Sequence, residues 1–483
     1  MIKTIRNKYS NLPIQIKASF WFFICTFSTK AITVLTTPLF TRLLTTSEYG
    51  EYSVYTSWLG IFTVFISLNL SLGVFMRGLI KFKENKEQFA ASMQALTFIM
   101  VVVWICIYLP FYNNINKWTG LNTVRTVLMI ITIWLTAVFG FWAAEQRVDY
   151  QYRKLVPLSI TVSFLGQGLG IILIQFLEDR VSARIAGTVI INCIFYIWLF
   201  GKDLKKGKTI INLEFWKYAL AFNIPLIPHY LSQTILNSSD RIMIDRMEGS
   251  GAAGIYGLAY SLAQVMMMFN TALVQTEEPW MYRKIEENKI EDIKSIAYTS
   301  FAFIAIVNIF LIALAPEIIA IFAPKEYYDA IWVIPPVVMS VFFSFSYYFF
   351  AIFEYYFERT KTIAIASCFG AILNIILNYL LIPIFGYFAA GYTTLVCFII
   401  YAVLHYTFMR KICKEKLEGR EPFSVKVYII IAAIFMAFGF VFQMTYSNIL
   451  VRYSLLLAFL IGILLKRKLL LSKVKMLIKV RKK

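Results

Sequence analysis

Acidic residues are scarce in this chain, and so are the side chains that carry most soluble-enzyme chemistry. Of 483 residues, 27 are Asp or Glu against 47 Lys or Arg, and only His229 and His405 supply imidazoles. No H-E-x-x-H or G-x-S-x-G stretch occurs, which removes the usual metalloprotease and serine-hydrolase readings. The six cysteines, Cys25, Cys106, Cys193, Cys368, Cys397 and Cys413, are scattered without a C-x-x-C or a nearby histidine. Neither a disulfide framework nor a metal site follows from such spacing. Gly207-Lys208-Thr209 resembles the end of a phosphate loop, but Gly201 lies one residue too far upstream. The connections between apolar stretches are short, the longest about 20 residues, so no soluble domain is expected to hydrolyse ATP. The chain reads as a non-enzyme unless membrane carboxylates do the chemistry.

What the chain has in abundance is apolar length. Hydrophobic residues make up 59% and charged ones 15%, with mean hydropathy +0.68, beyond the balance of a soluble domain. The apolar segments run 17–44, 50–76, 89–112, 123–144, 155–177, 182–200, 218–246, 252–274, 295–315, 331–353, 362–384, 387–409, 425–443 and 447–465. An α-helix needs about 20 residues to cross the hydrocarbon core, and an open sheet leaves its backbone unsatisfied there. The expected fold is therefore all-α and polytopic, with about fourteen transmembrane helices. The basic leader runs directly into a long first span, so no cleavable signal is expected.

Thirty-seven of the 47 Lys and Arg fall in the flanks and in every second connection. That bias places both termini in the cytoplasm. It also accounts for the formal charge of +20 by topology, with no nucleic-acid partner required, and lays the tail from Lys466 to Lys483 against anionic inner-leaflet lipid.

A shift of 204 residues superposes Arg42 on Arg246, Gly50 on Gly254, Tyr52 on Tyr256 and Ser57 on Ser261. The offset equals six spans, an even number that preserves orientation, so the halves read as parallel repeats around a central cavity. The predicted organisation is a six-helix lobe over 1–200, a cytoplasmic linker over 201–217, a second six-helix lobe over 218–410, and two further helices with the basic tail over 411–483.

Several stretches carry a resemblance. Leu39-Phe40-Thr41-Arg42-Leu43-Leu44 followed by Ser47-Glu48-Tyr49-Gly50-Glu51-Tyr52 is similar to the first-span ending and loop of the bacterial polysaccharide repeat-unit flippases. These are the Wzx type within the multidrug/oligosaccharidyl-lipid/polysaccharide exporter superfamily. Ile224-Pro225-Leu226-Ile227-Pro228-His229, Asn237 through Ile244, Tyr327-Tyr328-Asp329-Ala330, and Leu373-Asn374-Ile375-Ile376-Leu377-Asn378 with Ile382-Pro383 extend it over nearly the whole chain. The resemblance implies translocation of undecaprenyl-pyrophosphate-linked oligosaccharide to the outer face of the bacterial inner membrane, for O-antigen or capsule assembly. It implies membrane lipids, a polysaccharide polymerase and a chain-length regulator as partners. No cofactor is expected beyond a coupled H+ or Na+. The rival readings are a multidrug/cation antiporter of the same superfamily and a membrane enzyme acting on lipid-linked sugars.

Such a task needs a wet, net-positive cavity for an anionic head. Lys30 lies halfway along the first span, where a charge costs at least about 2.5–3.5 kcal/mol. It is the first candidate for substrate binding, against a Lys paired to a neighbouring carboxylate or snorkelling. Arg42, Arg246 and Arg241 are further substrate-binding candidates, since guanidinium binds phosphate oxygens bidentately; the competing reading for Arg42 and Arg246 is helix capping. Asp240 is the candidate ion-coupling carboxylate, and its 100° separation from Arg241 on a helix prevents an assumed pair. Glu145 and Arg147 in one inner connection, and Glu277 and Glu278 in another, are candidate gate residues, with solvated loop faces as the alternative. Pro38, Pro225 and Pro228 each remove a helix hydrogen-bond donor and are candidate hinges. The aromatic run from Phe342 to Phe357 lines a groove for the polyprenyl tail or packs against lipid.

Overall fold

The computed structural model describes residues 12–208 and 210–465, and every regular element among them is helical. The basic tail from Lys466 to Lys483 and Thr209 of the phosphate-loop-like stretch lie outside the described residues. The α-helices in order are α1 (Ile14–Leu43), α2 (Thr46–Ile66), α3 (Gly73–Lys81), α4 (Lys86–Thr119), α5 (Thr123–Val148), α6 (Tyr152–Leu173), α7 (Arg180–Gly207) and α8 (Leu213–Asn223). They continue as α9 (Ile227–Glu248), α10 (Ser250–Glu286), α11 (Glu291–Ala313), α12 (Ala315–Phe322), α13 (Ala330–Tyr356), α14 (Thr360–Phe385), α15 (Phe388–Lys416), α16 (Val425–Met444) and α17 (Ile449–Leu465). Eleven of these helices are long and apolar enough to cross a membrane. Together with α2, the broken α8–α9 crossing and the shorter α17 they account for the fourteen expected spans.

Local chemistry sets the ends. Thr45 and Glu48 form a reciprocal capping box at the start of α2, Asn122 caps α5, Asp179 caps α7 and Asn212 caps α8. Gly120 closes α4 at φ +75°, the left-handed conformation that glycine adopts without a Cβ penalty.

The predicted spans differ from the helices at three places, each for a physical reason. The segment 50–76 is not one helix. It stops at Ile66, because the Ser67 hydroxyl bonds back to Thr63 and forward to the Asn69 amide, while Leu68 and Asn69 take positive φ. The segment 218–246 is broken by a 3-10 turn at Ile224–Leu226 containing Pro225. And the helix predicted at 252–274 runs on to Glu286, so Glu277 and Glu278 sit on a helix rather than in a connection. At about 1.5 Å per residue the 37 residues of α10 exceed the hydrocarbon thickness by several turns. Likewise Glu145 and Arg147 belong to the end of α5. Charged, helix-favouring sequence carries both helices past their apolar segments.

Packing separates the chain into two compact units that meet in sequence between Ser238 and Ser239. In the first, α7 packs against α4, α5 and α6, and α1 lies along α6. Helix α8 belongs to this unit: it packs on α3 and α4, Trp216 donates to the Ser92 carbonyl at 3.0 Å, and buried Asn223 donates to the carbonyl of Leu68 at 2.7 Å. Glycines allow the closest approach. Gly187 of α7 faces the backbone of Gly170 on α6 so tightly that a Cβ would lie 2.3 Å from the Gly170 nitrogen.

In the second unit α13 is the central helix, packed against α10, α11, α15 and α16. Its Phe342, Phe345, Phe349 and Phe350 are buried against Phe301, Phe423 and Tyr428. The aromatic run therefore forms mostly protein core rather than a lipid-facing surface or groove. The pairs α2–α5, α4–α5, α5–α7 and α6–α7 recur six spans on as α10–α13, α11–α13, α13–α15 and α14–α15, which is the internal repeat expressed in packing.

Candidate functional site

The densest polar constellation surrounds Asp240 in the second unit. Asp240 sits on α9 and is 1% exposed. One carboxylate oxygen accepts from the Tyr256 hydroxyl at 2.6 Å and the Thr394 hydroxyl at 2.8 Å, and the other from Asn378 Nδ2 at 2.6 Å. Around it, Ser239 donates to Asn374 Oδ1 at 2.9 Å, Asn378 Nδ2 also reaches Asn374 Oδ1 at 3.3 Å, and Thr393 donates to Asn378 Oδ1. Asn374 and Asn378 stand four residues apart on α14, hence on one face, and Thr393 and Thr394 come from α15. Four helices thus converge on one carboxylate.

This donor set is made of hard oxygens: one carboxylate, two amide carbonyls and neutral hydroxyls. Such ligands suit a proton or a small hard cation rather than a soft metal. Each hydrogen bond to the buried carboxylate is charge-assisted and so stronger than a neutral one. Arg241 points elsewhere, with its guanidinium 4.7 Å from the Tyr260 ring centroid.

The other predicted residues are dispersed. Lys30 is exposed on α1, and no ion pair to it occurs among the described residues. The threonines around it, Thr26, Thr29 and Thr33, bond to carbonyls of their own helix. Arg42 is exposed in the last turn of α1 and donates to the Pro38 carbonyl at 2.9 Å, so it caps the turn that holds the proline. Arg246 is exposed in the last turn of α9. Pro225 lies in the 3-10 turn and Pro228 at the second residue of α9. Pro38 lies inside the continuous helix α1, so of these two crossings only the seventh is broken at its prolines.

Glu145 lines a cavity of about 80 Å3 in the first unit, together with Lys86, Glu87, Asp149, Asp203 and Lys206. Lys86 clasps Asp149 at 2.6 Å, and Gln94 donates to Asp203 at 2.6 Å. Arg147 is exposed. In the second unit Glu277 is 3% exposed and accepts from the Ser300 hydroxyl at 2.5 Å, whereas Glu278 accepts from Tyr282 at 3.0 Å.

Sequence reasoning missed the partners of Asp240, because Asn374 and Asn378 carried only a resemblance and Tyr256 only a repeat. The available signal was two asparagines at helical spacing in an apolar span. Nor was Arg184 among the candidates. Arg184 is 6% exposed, clamped between the rings of Phe40 at 3.9 Å and Tyr52 at 3.5 Å, a cation–π arrangement worth more when desolvated. Near it, Arg125 joins Glu51 at 2.6 Å and Asp179 at 2.9 Å. Partial burial of Asp179 raises its pKa, but the hydroxyl and amide of Ser182 and the Arg125 guanidinium outweigh that and hold it at about 2.

Comparison with known proteins agrees with this architecture. A protein of Haemophilus influenzae described as an uncharacterized membrane protein is 20% identical over 366 residues, covering 74% of this chain and 88% of that one. An Lsg locus protein of the same organism is 22% identical over 368 residues, 72% and 86% of the two chains. Among solved structures, lipid II flippase MurJ in an inward closed conformation superposes with TM-score 0.70 at 16% identity, covering 93% of this chain and 99% of that one. An inward-facing multidrug resistance MATE family transporter of the MOP superfamily gives TM-score 0.61 at 13% identity, with 80% and 96% covered. The MatE family matches residues 225–380. The two-lobed helical fold is thus that of the MOP transporters, and with residues 16–283 matching the polysaccharide biosynthesis protein family, the chain belongs to that family.

Proposed function

We propose that the protein is a flippase that carries undecaprenyl-pyrophosphate-linked oligosaccharide repeat units from the inner to the outer face of a bacterial cytoplasmic membrane by alternating access. The observation that carries this reading is the polysaccharide biosynthesis family match across 16–283, in a chain folded like a protein titled as a lipid II flippase. The Lys/Arg bias places both termini in the cytoplasm. Lys30, exposed and without a carboxylate partner among the described residues, suits an anionic headgroup. The membrane potential favours the direction: each net negative charge moved outward gains about 2.3 kcal/mol per 100 mV.

The coupling element in this reading is Asp240. A carboxylate ringed by Tyr256, Asn378 and Thr394 on three other helices binds H+ or Na+ differently when those helices shift. Differential affinity of that kind is what coupling requires. The delivered repeat unit serves a polysaccharide polymerase and its chain-length regulator in O-antigen or capsule assembly. The MatE match over 225–380 favours a second reading, a cation antiporter coupled through the same carboxylate.

Deleting the gene in its native glycan-producing strain tests the proposal. Loss of surface polymer with repeat units trapped on the inner face, restored by the wild-type gene but not by a normally expressed Lys30→Ala variant, is expected. Unchanged glycan with altered drug or cation tolerance would move the protein to the antiporter class.

A further inference from the structure

Deep in the second unit lies a second titratable constellation, separate from Asp240. His405 of α15 and Glu354 of α13 are both 0% exposed, and His405 Nδ1 meets Glu354 Oε1 at 2.5 Å. The other carboxylate oxygen accepts from the Thr362 hydroxyl of α14 at 2.5 Å. The imidazole stacks on Tyr347 at 5.2 Å and 27° and meets Tyr401 edge-on at 4.5 Å and 89°. His405 Nε2 is buried and has no hydrogen-bond partner among the described residues.

That last atom decides the reading. A buried histidine that serves packing alone satisfies both ring nitrogens, because an unmade hydrogen bond in an apolar site costs about 1–3 kcal/mol. Here one nitrogen is fixed by the carboxylate and the other is left open. Ionisable side chains within a membrane-spanning bundle are expensive and mark proton or substrate paths.

The surroundings limit what can compensate the charge. Among the described residues Tyr347 of α13 and Tyr401 of α15 touch the imidazole, Tyr348 stacks on Tyr347, and Tyr355 of α13 lies between Glu354 and Glu278 of α10 electrostatically. Helix α16 brings Tyr428 to Ser346 and Phe350, α14 brings Thr362 and Ser367, and α11 brings Phe301 and Asn308. Arg359 is engaged with Glu415 at 2.6 Å. Among the described residues His405 is the only ion-pair partner of Glu354.

We propose that His405 and Glu354 form a proton-binding site, with Nε2 of His405 as the position where the proton is exchanged with water. The proton adds to the Nε2 lone pair when a rearrangement of α13, α14 and α15 admits water to the buried site, and the pair passes from a net charge of −1 to neutral. It leaves by the reverse step, with no other bond made or broken. Because Glu354, His405 and Thr362 sit on three helices, the site's charge alters the energy of any rearrangement of α13, α14 and α15. Its effect on transport rests on the flippase reading, whereas its occupancy does not.

The chain has only two histidines, so the site can be watched directly. Full-length protein with 15N-labelled imidazoles in lipid nanodiscs is titrated from about pH 5 to 9 by NMR, with His229→Gln providing the assignment. The expected result is a His405 15N shift that reports a proton gained at Nε2, and loss of that response in Glu354→Gln. A His405 resonance unchanged across the range overturns the proposal. Translocation of lipid-linked oligosaccharide by proteoliposomes is then measured against pH, where one-proton control gives up to about tenfold per pH unit and Glu354→Gln or His405→Gln flattens it below about twofold. An unflattened profile overturns the coupling role. Titration of His405 without glycolipid transport at any pH instead overturns the flippase reading and leaves the proton site standing.

Discussion

Asp240 and Asn378 lie 138 residues apart in sequence, yet the amide of one donates to the carboxylate of the other at 2.6 Å in a fully buried setting. The contact ties α9 to α14 through the carboxylate that the proposed function makes the coupling group. Asp240→Asn keeps the volume and removes the charge, so the ion dependence of transport should vanish while the protein still folds. Asn378→Ala should leave the carboxylate short of one donor and weaken the fold by about 1–3 kcal/mol. Ion-gradient-driven flux and thermal unfolding of the two variants check this; undiminished ion-dependent transport by Asp240→Asn would remove the coupling role.

The α6–α7 contact is set by backbone, not side chains. A Cβ at Gly187 would sit 2.3 Å from the nitrogen and 2.4 Å from the Cα of Gly170, and backbone cannot swing aside as a flexible side chain does. Gly187→Ala should destabilise the first unit by about 1–3 kcal/mol. Gly168, on the same helix α6 as Gly170, has nothing within 4 Å of its Cβ position, so Gly168→Ala should be neutral or slightly stabilising. Comparison of the two variants by thermal unfolding in detergent separates close packing from a general intolerance of change in α6 and α7.

How much of this was legible in sequence depends on what each feature needs. The crossings follow from apolar length, a local property, and α4, α6, α13 and α16 begin within a few residues of their apolar segments. The extension of α10 past residue 274 is not legible from hydropathy, since its last turns carry Glu277, Arg283 and Lys284, a good helix but a poor membrane span. Asp240 stood out, together with Arg241, as a charge inside a predicted span. Its cage did not, because Asn374, Asn378 and Thr394 meet Ser239 and Asp240 only when α14 and α15 bring them to α9. The His405–Glu354 pair, 51 residues apart, was invisible for the same reason, and so was the clamp of Phe40 and Tyr52 on Arg184.

Acid should act on the first unit through Asp179, the cap of α7. Its folded-state pKa is held at about 2, below the ordinary aspartate value of about 3.9. The stabilisation it confers is therefore complete above the ordinary value and is lost as pH falls toward 2. Wild-type protein in detergent should lose more stability between about pH 5 and 2.5 than Asp179→Asn. Since the Asp179 side chain is 42% exposed, the difference should shrink in high salt. Parallel acid profiles for the two proteins would show that the Arg125–Asp179–Ser182 cluster does not couple protonation to folding.

The last described helix is tied to α12 through a buried cation. Arg452 of α17 is 3% exposed, pairs with Glu317 of α12, and lies 5.5 Å from the Tyr453 ring, whose hydroxyl also donates to Glu317. Removing one partner of a buried pair costs about 3–5 kcal/mol because the other charge is left uncompensated. Glu317 retains 30% exposure, so Glu317→Ala should fall at about 3 kcal/mol, the lower end of that range. Replacing both by Leu should recover much of the loss, because the penalty comes from the stranded charge rather than from the missing attraction. Hydrogen exchange over α17 reads the effect where it arises: fast exchange in Glu317→Ala and protection restored in the double variant would assign Arg452 the anchoring role, while equal protection in all three proteins would show that apolar contacts such as Phe310 with Phe459 suffice to hold α17.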